Sequence, residues 1–472
     1  MLFFQILIVL ISSVVVLLWV RGTLSARSGH AGLPAVVMAL WIVASAALGP
    51  YFYVLRIPGG FDLTIERLFF VLMLYFLLSG LFSGKVNVRN DVGIEILMGL
   101  FTLICVVSMI RTGFTASSPN YPSPWFIFIT GYFFPFIVFV FAKHFITNAN
   151  DLEIILKSLF YFGIYLCITA FFEYFNLRQF VLPRYIANPE IGLHLDRARG
   201  PFLNAAMNGV GILAGFISGI HLIEKKTGFA RIRYQFLLSL FFPAVFFTLT
   251  RSVYLSFLIV LFLFIGWYKT PFPKWKLISL PLTIVLIVGM ANSHRLFSKE
   301  RREGGVYQKS EIETRIALIE RSISMIADRP FIGVGLAQFV PASVKIYKGR
   351  IPYIAENDME SFQHNHLLGL TVELGVGGVS VYLLIVIMVF RRLMHLSGKL
   401  PVTGIMGNNI RLVIFAIWCV YLTSNLFIEP SNNLFLNAVP FIFAGLADGL
   451  YSRSLESEKR FSYANKESIE HV

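Results

Sequence analysis

Apolar runs close to the length of a bilayer crossing recur from one end of this chain to the other, and they limit its fold more than any motif does. A helix needs about 20 apolar residues to cross the hydrocarbon core. Such runs are predicted at 3–20, 34–55, 64–83, 93–110, 125–146, 154–175, 203–223, 235–250, 252–268, 275–292, 367–390, 410–428 and 433–450. That gives about 12 or 13 transmembrane helices at the usual span length. Only helices or closed barrels satisfy the backbone in lipid, and these runs lack the alternation of barrel strands. The expected fold is therefore all-α and polytopic. Composition agrees: 14% of residues are charged, where soluble domains carry roughly a quarter. The run at 3–20 is long and has no basic residue before it, so it reads as an uncleaved anchor. Cys105, Cys167 and Cys419 each lie inside an apolar run without paired spacing, which predicts inert core residues.

The net charge of +14 points to anionic partners, either membrane lipid headgroups or a phosphate-bearing substrate. Scattering of the basic residues between apolar spans argues against nucleic acid. Lys and Arg crowd three short loops: Lys225 to Arg233, Lys269 to Lys276, and Arg391 to Arg411. Placing these on the cytoplasmic side follows the positive-inside rule. The segments 176–202, 250–252, 293–366 and 429–431 then share the opposite side, which in a bacterium is the periplasm or cell exterior. The chain divides accordingly into N-terminal helices (1–175), central helices with Arg-bearing outer loops (176–292), a large outer loop (293–366), C-terminal helices (367–450) and a polar cytoplasmic tail (451–472), expected to be disordered.

This topology leaves charges where the rule does not ask for them. Arg197 and Arg199 precede Gly200-Pro201, a turn that leads into a helix with Asn204 as its candidate cap. Two guanidinium forks beside a helix start make an anion site; the bland alternative is headgroup-binding interfacial arginine. Arg251 sits in a tight turn between two short spans, where an ionisable residue is a functional candidate or a snorkelling helix end. In the long outer loop, Ile312, Ile316, Ile319, Ile323 and Ile326 form an apolar stripe on one helix, which either lies along the interface or packs on the membrane domain as a lid. Arg315 is on that helix. Gly333 and Gly335 follow Pro330 and predict a flexible turn. His364-Asn365-His366 then opens the next apolar helix. A histidine at a water–membrane boundary is suited to proton transfer, while Asn365 is also a ready helix cap. Two histidines at i and i+2 with no third ligand nearby fit a metal poorly.

Taken in order, these residues resemble the bacterial O-antigen ligase and O-antigen (exopolysaccharide) polymerase superfamily of membrane glycosyltransferases. The resemblance rests on Arg197-x-Arg199-Gly200-Pro201-Phe202-x-Asn204, then Leu249-Thr250-Arg251-Ser252, then Asp328-x-Pro330-x-x-Gly333-x-Gly335-x-x-x-Phe339. The last element is His364-Asn365-x-x-Leu368 with Glu373-x-Gly375-x-x-Gly378. It covers roughly residues 190–390, with a ligase-like core over 176–390. The chain departs from the pattern where Asn204-Ala205-Ala206-Met207-Asn208 replaces Asn-Pro-Asn. The resemblance implies an undecaprenyl-diphosphate-linked glycan as donor and a polysaccharide or lipid A core hydroxyl as acceptor. It implies His364 and Arg251 as catalytic residues, and Arg197, Arg199, Arg315, Asn365 and His366 as substrate-binding ones. Transfer would invert the anomeric centre and use neither cofactor nor metal. The competing class is a transporter or flippase of lipid-linked sugars, although such proteins favour repeats and broken midplane helices.

Overall fold

The computed structural model describes residues 32–55, 63–84, 86, 91–116, 121–193, 195–269, 309–347 and 362–470. The expected spans at 3–20 and 275–292 and the charged run at 293–308 lie outside them. The chain is an all-α polytopic membrane protein. Among the described residues, seven helices are long and apolar enough to cross a membrane. These are α2 (Ile65–Phe82), α3 (Gly93–Thr112), α4 (Pro124–Phe145), α5 (Ala149–Tyr174), α6 (Ala205–Ile223), α11 (His366–His395) and α13, whose apolar part is Leu434–Glu458. Three shorter apolar helices accompany them: α1 (Leu33–Ala47), α9 (Arg251–Trp267) and α12 (Ile410–Asn425).

The remaining elements refine the expectations. The span expected at 235–250 is built as two helices, α7 (Gly228–Ser239) and α8 (Phe241–Phe247). The outer-loop helix is α10 (Lys309–Asp328). The tail expected to be disordered continues as helix, because α13 runs on to Glu470.

Helix α6 is the hub. All of its residues are buried, and it packs against α5 on one side and α12 on another. The approach to α5 is close because glycine meets glycine: a Cβ on Gly215 would stand 2.7 Å from the Gly163 Cα. Asn204 caps α6 as expected, accepting from the Ala206 N–H at 2.9 Å and the Met207 N–H at 3.3 Å. A full capping box starts α5, where Asn148 and Asp151 bond each other's backbone. The Asp151 carboxylate also accepts from the Gly32 N–H at 2.8 Å, tying α1 to α5.

Helix α11 is broken once. Gly375 has φ +70° and ψ −178°, a backbone that excludes a side chain, and a Cβ there would lie 2.3 Å from the Phe331 carbonyl. A break frees backbone groups that must find partners elsewhere. The turn 330–335 supplies them. Val376 N–H donates to the Pro330 carbonyl at 2.8 Å, and Val334 and Gly335 donate to the Val372 and Glu373 carbonyls at 2.9 Å each. The turn expected to be flexible is therefore docked on α11.

Among the described residues the loops fall at two ends of the bundle, as their charges grouped them. At one end Asn409 joins Glu224 and Lys269, and Arg392 pairs with Asp91 and with the buried Asp448. The Arg392 contact holds the Asp91 carboxyl below its ordinary range. Segments 193–207, 249–258, 314–340, 362–373 and 427–432 meet at the other end, around one cavity.

Candidate functional site

That cavity has a volume of about 1190 Å³, large for a single small-molecule site. Leu255, Leu258, Phe126 and Ile127 form an apolar flank. Its polar wall carries Arg197, Arg251, Arg315, His364, His366 and Glu429. Five of the seven sequence-derived candidates thus converge from four separate stretches of chain.

Each arginine is set by a different element. Arg251 is the first residue of α9, in a turn braced by the Thr250 hydroxyl on the Thr248 carbonyl (2.8 Å) and the Tyr254 hydroxyl on the Phe246 carbonyl (2.8 Å). Arg197 is buried, with its Nε shielded from solvent and unbonded and Asp196 at 3.9 Å. Burial holds its guanidinium below the ordinary value; Asp196 opposes that shift and Arg251 adds to it. Arg315 comes from α10 and stacks over the Phe427 ring at 5.9 Å. Desolvation lowers its value, and Arg251 adds a repulsion. Arg251 is therefore within electrostatic reach of both others. Cations gathered against their mutual repulsion form a site whose field an anion relieves.

Two candidates do not reach the cavity. Arg199 is fully buried, and its guanidinium donates to the Ile186, Asn188 and Ile191 carbonyls at 2.6–3.1 Å. It staples the loop 186–191 while Gly200 N–H donates to Glu173 at 3.0 Å. Asn365 caps α11, accepting from the Leu368 N–H at 3.0 Å. Arg199→Ala is expected to act through stability, since it strands one buried and two half-buried carbonyls and removes a fully buried side chain, at a cost of about 3–5 kcal/mol. A thermal-shift measurement in detergent checks this, and Arg197→Ala should melt close to the parent.

The two histidines differ. His364 is exposed to the cavity, and its backbone N–H donates to the Gln363 side chain at 2.8 Å. His366 is buried. Its Nδ1 lies 2.9 Å from the Glu429 carboxylate, and its Nε2 has no hydrogen-bond partner. The His366 ring stacks on Tyr132 with centroids 6.2 Å apart. Tyr132 belongs to a π-helical turn, 129–133, inside α4, where Thr130 donates to the Ser431 carbonyl at 3.0 Å. Such turns often occur at functional sites; here it joins α4 to the loop carrying Glu429.

Sequence reasoning gave Glu429 no role and named Glu373 only within its motif. A lone acid between two apolar runs was the available signal for Glu429. Glu373 accepts from the Ala337 and Phe339 N–H groups at 2.9 and 3.2 Å, fixing the cavity rim. Two rim residues, Leu249 (φ +46°) and Ala337 (φ +56°), hold left-handed backbone, each at a cost of about 1–3 kcal/mol. Such strain concentrates at functional sites. Among the described residues, no group of three or more His, Cys, Asp and Glu side chains is arranged to hold a metal.

Residues 236–383 match the family model Wzy_C, described as O-antigen ligase. The match takes in Arg251, Arg315, His364 and His366, whereas Arg197 and Glu429 lie outside it. It bears out the resemblance read from the sequence to the O-antigen ligase and polymerase superfamily. No curated protein matches the chain.

Proposed function

We propose that this O-antigen ligase family protein is a metal-independent glycosyltransferase. It moves a glycan from an undecaprenyl-diphosphate-linked donor to an acceptor hydroxyl, on the periplasmic face of a bacterial inner membrane. The observation that carries the reading is the meeting of Arg197, Arg251 and Arg315 with His364 in one cavity that also has an apolar flank. Guanidinium groups grip diphosphate oxygens in forks. The apolar flank accommodates the first isoprene units, and the remaining volume takes sugar.

In the reaction the bond between the anomeric carbon and the diphosphate oxygen breaks. Its electron pair passes to the diphosphate, where the arginines stabilise the growing charge. The acceptor oxygen bonds the anomeric carbon from the opposite face, which inverts it, and its proton goes to His364. His366, held by Glu429, lines the acceptor side. The acceptor is a growing repeat-unit polysaccharide in preference to lipid A core or protein.

The test is reconstitution in vesicles with a synthetic undecaprenyl-diphosphate oligosaccharide. Expected are a lengthened glycan and an equal amount of released lipid diphosphate, both unchanged by EDTA. Movement of the lipid-linked sugar across the bilayer without covalent transfer would assign the chain to the flippase class instead, and loss of transfer on chelation would return a metal to the site.

A further inference from the structure

Three members of the isoleucine stripe of α10, Ile316, Ile319 and Ile323, turn away from the protein, while Ile326 packs against it. Ala317, Leu318, Arg321, Ser322 and Met325 are buried, and α10 rests against α11. On the other side Ile316 is 50% exposed, Ile319 46% and Ile323 59%. Just beyond the helix, Phe331 is 79% exposed and Ile332 63%. An apolar surface of this extent calls for a partner.

Two independent rulers give its depth. Helix α3 has 20 residues, the length of one crossing. Its last turn carries Arg111, whose guanidinium donates to the Ile332 and Gly333 carbonyls at 2.9 and 3.0 Å. The part of α11 after Gly375 is also about 20 residues, or about 30 Å of helix. It begins at Val376, whose N–H donates to the Pro330 carbonyl. The far ends of the same two helices meet through Asp91 and Arg392. Both rulers put the turn 330–333 at the edge of the hydrocarbon, on the cavity's side. On α3, near the Arg111 that holds this turn, Val107 and Ile110 are likewise exposed, at 57% and 69%.

We infer that α10 is an interfacial helix whose Ile316–Ile319–Ile323 stripe, together with the Phe331–Ile332 turn, is embedded in the leaflet nearer the cavity. The partner is the lipid surface itself. Amphipathic helices bind in this way, apolar face down by about 5–10 Å at the headgroup–acyl boundary. Embedding accounts for a helix that is apolar on two faces, one for protein and one for lipid. It also holds Arg315, next to the stripe, at the level of the lipid phosphates.

The inference concerns membrane contact and is tested separately from transfer. The full-length protein, without substitution, is reconstituted in phosphatidylethanolamine–phosphatidylglycerol vesicles with a phospholipid bearing a diazirine near the glycerol end of one acyl chain. Illumination should give lipid adducts on residues 316–332, and peptide mass spectrometry should find them at yields comparable to those on α3. Nitroxides at Ile319→Cys, Phe331→Cys and Glu320→Cys then supply a second reading. Collision with oxygen should exceed collision with a water-soluble nickel chelate several-fold at Ile319 and Phe331, and the ratio should reverse at Glu320. Nickel access at Ile319 equal to that at Glu320 would overturn the inference in favour of a solvent-facing lid. Dipolar broadening between labels with no lipid adducts would overturn it in favour of a second copy of the chain.

Discussion

Replacing Arg251 with alanine is expected to lower the transfer rate on the order of 10²- to 10³-fold, or about 3–4 kcal/mol of transition-state stabilisation, the usual loss when one preorganised charge-stabilising donor is removed. The size follows from position. Arg251 opens α9, where the helix dipole adds to its field. It is also the arginine whose charge reaches both Arg197 and Arg315. As the leaving diphosphate gains charge, this central group should gain most in interaction energy. Arg315→Ala should cost less, about tenfold or 1.4 kcal/mol, because its guanidinium interacts with Arg251 alone of the other two arginines. Arg251→Lys should recover only part of the rate, since an ammonium keeps the charge and loses the fork. Initial rates with donor varied supply the check. The catalytic role requires a fall in kcat. A rise in KM at constant kcat would mean that Arg251 binds donor and transition state equally, and it would then be a binding residue only.

Much of this organisation was legible in the sequence, for identifiable reasons. Apolar run length is a local property, and it located α2 to α6, α11, α12 and the first part of α13. The charge pattern of the loops grouped the ends of the bundle correctly, which is why Arg197, Arg251, Arg315 and His364 could be expected at one site although more than a hundred positions separate the first from the last. What escaped depended on three-dimensional partners. Arg197 and Arg199 look alike in sequence, yet one lines the cavity and the other is enclosed by carbonyls of the loop 186–191. The Asn365 cap was foreseeable, but whether capping was its main contact was not. Glu429 carries no local signal beyond its charge, because its role depends on His366 arriving from another helix. Periodicity revealed the stripe on α10 without its direction. Hydrophobic spacing is the same for a face that meets protein and one that meets lipid, and the buried face of α10 includes a serine and an arginine that no apolar pattern would select.

His364→Ala is expected to cost about 10²- to 10⁴-fold in transfer, the range for a general base taken from its substrate, with the protein's melting temperature little changed. The two histidines make this a discriminating experiment. His364 is exposed to the cavity, and its position comes from Gln363, which is buried and donates to the Ser322 hydroxyl at 2.5 Å. Removing an exposed imidazole leaves that support intact, so the loss should fall on chemistry. His366 is enclosed between Tyr132 and Tyr382 and bonded to Glu429. Its removal leaves a carboxylate without its partner and a hole between two rings, so His366→Ala should lower both stability and rate. Added imidazole separates the cases further: it can enter the open cavity and should restore part of the His364→Ala rate, but it should restore less for His366→Ala, where the lost ring packed against Tyr132 and Tyr382 and its removal also unpairs Glu429. The opposite pattern, with His364→Ala retaining transfer within about threefold, a change of only about 0.65 kcal/mol, and a stably folded His366→Ala inactive, would move the proton-accepting role to His366 and Glu429. A carboxylate on Nδ1 and an unbonded Nε2 are the arrangement that role would need.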